Sequence, residues 1–126
     1  MNGLPVLELG YPRTELRRQL VDAVLRGEKT ATAGLLEEYE AEGEQPESVG
    51  ARCTLLGYDD EPVAVIEVVE SRVVTAAEID EQFARDEGEG YDTVREWREA
   101  HESFFERPIE PETQIVAVRF RIVERL

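Results

Sequence analysis

The chain has 126 residues, enough for one domain, with 41% apolar and 34% charged residues, so a packed core is expected and disorder is not. Twenty-nine acidic residues against 14 basic ones give a formal charge of −15, which argues against a surface that tracks nucleic-acid phosphates or an anionic membrane. A single Cys excludes an internal disulfide and a Cys-based metal site.

No apolar run approaches the roughly 20 residues of a spanning helix, and the start, MNGLPVLELG, lacks the basic and apolar regions of a signal peptide. The expectation is one domain over residues 1–126 in a cytoplasmic protein. Lys29 is the only Lys, in a chain with 13 Arg. A desolvated ammonium can lose its proton where a guanidinium cannot, so a lone Lys stands out as a candidate for chemistry.

In chain order, Pro12 and Thr14 open a helical pattern in which Leu16, Leu20, Val24 and Leu25 share a face, and Gly27 ends it. Lys29 to Gly34 reads as a short strand or turn, Leu35 to Ala41 as a brief helix, and Gly43 to Gly50 as a loop. Ala51–Tyr58 and the Val/Ile-rich Pro62–Thr75 form a hairpin around an Asp59–Pro62 turn. Thr75, with Glu78 three residues on, predicts a capping box for a helix over Ala76–Asp86. The loop Asp86–Asp92 follows, and Asp92 is a candidate cap for a helix from Thr93 to about Glu106. Val94, Trp97, His101, Phe104 and Phe105 lie on or near one stripe of that helix, and Pro108 and Pro111 end it. Gln114–Glu124 is the closing strand. The order suits an α+β fold, a small mixed barrel with helices packed at its ends.

Three places can carry chemistry. In GEKTATAG, residues 27–34, a Lys stands close to two Thr hydroxyls. A hydroxyl is too weak an acid to attack unaided, so the pair reads either as nucleophile and base or as the polar start of a strand. An extended segment puts Lys29 and Thr32 on opposite faces, so a bend is needed to bring them together. In DEGEGYD, Glu87 and Glu89 sit between glycines, as proton-transfer or ligand-binding carboxylates or as a solvated turn. The aromatic helix reads mostly as core; its His101 is the chain's only His, which makes a zinc site unexpected. Cys53 reads as packing within a strand.

These residues taken together resemble an ASCH domain of the PUA-like superfamily. The resemblance rests on Gly27-Glu28-Lys29-Thr30-Ala31-Thr32, similar to a G-x-K-x-x-T motif. It extends through Pro62-Val63-Ala64-Val65-Ile66-Glu67, Phe83-Ala84, Glu87-Gly88-Glu89-Gly90, Val94, Trp97-Arg98 and Ala100-His101. It implies a small β-barrel with flanking helices. It also implies a reaction, because bacterial amidohydrolases of this kind remove the acetyl group from N(4)-acetylcytidine. On that resemblance Lys29, Thr32 and Glu87 are catalytic: Thr32 attacks the acyl carbon, Lys29 takes its proton, and Glu87 orients the ammonium or protonates the leaving amine. Thr30, Gly34, Glu89, Tyr91, Trp97, Arg98 and His101 are the expected substrate-binding positions. The chain departs from the pattern at Gly34, where many relatives carry Arg.

The expected partner is a small nucleoside-like substrate, with no cofactor, metal or membrane. The alternative is an RNA- or nucleotide-binding module, with or without ribonuclease activity, using a local basic cleft of Arg26, Lys29, Arg95 and Arg98. A third option is a protein-partner domain with Trp97 and Tyr91 in its interface.

Overall fold

A computed structural model describes residues 3–126. Its elements are β1 (Val6–Leu7), α1 (Glu15–Leu25), β2 (Ala31–Leu35), α2 (Leu36–Ala41), β3 (Arg52–Leu56), β4 (Pro62–Thr75), α3 (Glu81–Asp86), α4 (Val94–Phe105) and β5 (Gln114–Arg125). The strands form one sheet in the order β1-β3-β4-β5-β2, antiparallel except for the β1–β3 pair. The edge strands β1 and β2 do not pair with each other, so the expected barrel is instead an open mixed sheet flanked by helices.

The local chemistry sets most boundaries. The Thr14 side chain accepts the Arg17 backbone N–H and caps α1, as the sequence suggests. The face of α1 differs from expectation: Arg17, Leu20, Val21, Ala23 and Val24 are buried, while Leu16 is 40% exposed. The helix is rotated inward around Arg17 because that guanidinium finds an acceptor for every N–H it carries.

The expected helix over 76–86 is split. The Thr75–Glu78 capping box is present, but it opens only a 3₁₀ turn over Ala76–Glu78. Ile79 then takes an extended conformation and is buried. Asp80 accepts the Phe83 N–H at 2.8 Å and starts α3 afresh. Two caps five residues apart compete, and burying Ile79 favours the second. For α4 the cap is Thr93, in a capping box with Glu96, rather than Asp92.

Strand β4 carries the sheet. Its early residues pair with β3 and nearly its whole length pairs with β5, with register shifts at Val65/Ile66 and Val68/Glu70. Such irregularities bend long strands. Both faces of the sheet are covered. Leu35, Val74, Ile115 and Ala117 pack with Ile79, Phe83 and Trp97 under α3 and α4. Cys53, Leu55, Ala64, Ile66 and Phe120 pack with Leu20, Val21 and Val24 of α1. Ile115 to Val118 are all buried, where alternation alone would expose every second residue, because Ile115 and Ala117 enter the α3–α4 cluster while Val116 and Val118 pack with Val68 against Leu36 and Tyr39. Among the described residues no helix is long and apolar enough to cross a membrane.

Candidate functional site

Lys29 lies between α1 and β2. The turn after α1 is closed by Glu28 and Lys29, whose N–H groups both donate to the Ala23 carbonyl at 2.9 and 3.1 Å. Lys29 points inward and is only 2% exposed. Its Nζ donates to the carbonyls of Ala31 at 2.9 Å and Glu87 at 3.2 Å, and to Glu89 Oε2 at 3.0 Å. Glu87 Oε1 stands 3.6 Å away. Three N–H groups face four oxygens, an environment that uses every proton of an ammonium.

The loop after α3 is docked onto this segment by backbone. Thr30 N–H donates to the Asp86 carbonyl at 2.8 Å. Gly88 has φ +68° and lies so close to the strand entrance that a Cβ there would stand 2.5 Å from the Glu28 carbonyl oxygen and 2.6 Å from Lys29 Cα. Only glycine permits both the positive φ and that approach.

Glu87 is 1% exposed. Its Oε2 accepts a short hydrogen bond from Trp97 Nε1 and faces His101 Nε2 at 3.4 Å. His101 Nδ1 lies 2.8 Å from the Trp97 carbonyl, and the Trp97 ring stacks on the imidazole with centroids 4.5 Å apart. Both ring nitrogens therefore face oxygen acceptors, which favours the doubly protonated imidazolium. Burial opposes the charge on His101, but the hydrogen bond to Glu87, its negative charge and the Trp97 carbonyl outweigh it and raise the imidazole above its ordinary value. Burial likewise opposes the Glu87 carboxylate, but the hydrogen bond from His101, the Lys29 charge and the Trp97 N–H hold it below the ordinary carboxylate range.

A pH dependence of stability follows. The depressed Glu87 contributes fully above its ordinary value of 4.5 and loses that contribution as pH falls through its folded value. The raised His101 contributes fully below its ordinary value of 6.5 and loses its part as pH rises through its folded value. A melting-temperature series is expected to peak between these two ordinary values and to fall on both sides, with the alkaline fall removed in His101→Gln. An alkaline limb unchanged by that substitution overturns the assignment.

These groups form one wall of a cavity of about 470 Å³, lined by Lys29, Thr32, Glu87, Glu89, Tyr91 and His101. Tyr91 donates its hydroxyl to Glu89 Oε1 at 3.1 Å, and burial and Glu89 together push that hydroxyl well above the ordinary phenol value. The rest of the lining comes from Glu8, Leu9 and Gly10, from Leu16 and Leu20 of α1, from Ala100, Ser103, Phe104 and Phe105 of α4, and from Ala33. A volume of this size accommodates a small organic ligand. Among the described residues no group of three or more His, Cys, Asp or Glu side chains is arranged to hold a metal ion.

Of the ten residues expected at the site, six line the cavity and four do not. Thr30 turns its hydroxyl to the Asp86 carbonyl, 3.4 Å away, and serves the docking of the loop. Trp97 lies behind Glu87 and His101 and supports them. Arg98 is exposed and borders a separate hollow of about 250 Å³. Gly34 is covered by Tyr39: a Cβ there would lie 3.1 Å from the ring. The aromatic ring thus occupies the space that a larger side chain at this position would need. Of the four residues offered as a basic cleft, Arg26 pairs with Glu28 and Arg95 with Glu99 at the surface, while only Lys29 reaches the cavity.

The sequence reading missed the strap Glu8–Gly10 and the residue that holds it. Arg17 has no exposed surface. It donates to the carbonyls of Leu9, Gly57 and Gly10 at 3.1, 3.2 and 3.0 Å and pairs with Glu8 and Asp60. The available signal was an Arg at the spacing of the buried stripe, three residues before Leu20 and seven before Val24.

A family model described as ASCH domain matches residues 9–124. An ASCH domain from Lactobacillus crispatus, solved as a crystal structure, is similar at 26% identity and TM-score 0.82, over 97% of this chain and 80% of that one. A solved protein from Enterococcus faecalis is similar at 26% identity and TM-score 0.83, over 99% of this chain and 79% of its own. A search of curated proteins finds no match.

Proposed function

From the premise that this chain belongs to the ASCH domain family, we propose that its cavity binds a small, uncharged, acylated nucleoside such as N(4)-acetylcytidine and hydrolyses the amide. One observation carries the reading: Lys29 and Glu87, 58 residues apart, meet as a buried ion pair in the wall that also presents Thr32. Buried charge is costly, and a charged pair facing an accessible cavity is what a polar reaction needs.

The surrounding charge supports a neutral ligand. Glu8, Glu87 and Glu89 line the cavity against Lys29 and His101, within a chain of formal charge −15. A polyanion is repelled by such a surface, whereas a nucleoside is not. In this reading Thr32 Oγ attacks the acyl carbon, and Lys29 meets the negative charge that develops on the acyl oxygen. Glu87, closed in by Trp97 and His101, keeps the ammonium aimed. This revises the expected role of Lys29, whose three N–H groups are all donated, from base to a source of positive charge and protons.

The test is a panel of acylated cytidines incubated with the pure protein, with RNA binding and cleavage followed in parallel across a salt series. Release of free cytidine is expected, and Thr32→Val should lower the rate on the order of 10²–10⁴-fold. Absence of turnover across the panel, with RNA affinity that drops steeply as salt rises, would replace this reading with the nucleic-acid one.

A further inference from the structure

Resting on the hydrolase reading, the structure assigns the proton-accepting role to Glu89, a residue outside the set Lys29, Thr32 and Glu87. The two carboxylates of the loop are differently placed. The Glu87 side chain is 1% exposed, and its oxygens face Trp97, His101 and Lys29. The Glu89 side chain is 20% exposed, lines the same cavity as Thr32, and has one oxygen on Lys29 Nζ at 3.0 Å and the other on the Tyr91 hydroxyl at 3.1 Å. A carboxylate accepts at about four positions, so each oxygen of Glu89 keeps a further lone pair for an incoming proton. Lys29, with all three N–H groups donated, has none.

The direct Glu89–Lys29 contact also closes the proton cycle. As Thr32 Oγ bonds to the acyl carbon, its proton passes to the Glu89 carboxylate and the carbonyl becomes an oxyanion. When the carbonyl re-forms, the C–N bond breaks and the leaving nitrogen takes a proton from Lys29 Nζ. The neutral amine then recovers a proton from the Glu89 carboxylic acid across their 3.0 Å contact. In the second half, water attacks the acyl-threonine ester and gives its proton to Glu89. The departing Thr32 oxygen is protonated by Lys29, and the same return transfer resets the pair. The sum is amide plus water giving amine plus acid, with no proton drawn from outside the site.

The decisive variant is Glu89→Gln. Its amide oxygen still accepts from Lys29 and its NH₂ still donates to the Tyr91 oxygen, so both contacts survive while the negative charge and the capacity to accept a proton are lost. With acetylcytidine as substrate, kcat is expected to fall on the order of 10²–10⁴-fold while KM stays within about threefold. Glu89→Asp restores a carboxylate and should exceed Glu89→Gln by about tenfold or more; it keeps the test open if the Gln variant folds poorly. An active parent with Glu89→Gln within about fivefold of it, or with Glu89→Asp no faster than a folded Glu89→Gln, overturns the assignment and leaves the hydrolase reading standing. A parent that turns over no acylated cytidine overturns the reading itself, and the assignment with it.

Discussion

Lys29→Met is expected to unfold more easily than the parent by about 3–5 kcal/mol, because it strips the central cation from a buried cluster. Met matches the length of the Lys stem, so packing changes little. What changes is charge and hydrogen bonding. Glu87, at 1% exposed, keeps only Trp97 and His101, and the carbonyls of Ala31 and Glu87 lose a donor. Urea unfolding monitored by Trp97 fluorescence gives the measurement, and the same variant should lose amide hydrolysis altogether. Adding Glu87→Leu should return part of the stability, because the unpaired carboxylate is what costs most. A Lys29→Met protein within about 1 kcal/mol of the parent contradicts the description of the cluster as a buried ionic centre.

Arg17→Met is expected to produce a loss of similar size, about 3–5 kcal/mol, with no contact to the chemistry at all. Glu8 and Asp60 are half exposed and can rehydrate. The carbonyls of Leu9 and Gly57, in buried bonds, and of Gly10, in a part-buried one, lose their guanidinium donor. Because Leu9 and Gly10 line the cavity, ligand affinity should fall along with stability. Arg17→Lys should recover only part, since three donors on a single atom cannot span acceptors that the planar guanidinium fork reaches together. Thermal melts with and without ligand check both effects, and a melting point for Arg17→Met within about 2 °C of the parent rules out this account of the clamp.

The two predictions differ in how visible their residues are in the chain. Lys29 stands out by composition alone, and GEKTATAG and DEGEGYD are unusual enough to single out before folding. The strands were equally legible: β4 runs from Pro62 to Thr75 where the Val/Ile-rich stretch does, and β5 ends at Arg125, within one residue of expectation. What escaped shares a cause. Arg17 looks like one more charge on an amphipathic helix, because its partners are mainly backbone carbonyls, which carry no letter in a sequence. The strap Glu8–Gly10 is hidden for the same reason, and the two-residue β1 is too short to show a pattern. The split between the 3₁₀ turn and α3 depended on Ile79 finding a core to enter, which only the assembled sheet decides. Gly34 misled because the motif names its position, while Tyr39, five residues on, is what occupies the space there.

The seam at Gly88 holds the two halves of the charged cluster together. Main chain lies against main chain there, with no rotamer to swing aside, and the Thr30–Asp86 bond fastens it. The loop therefore cannot withdraw its two carboxylates from Lys29 without breaking that bond. A guest therefore meets a charged floor that is already assembled when it arrives.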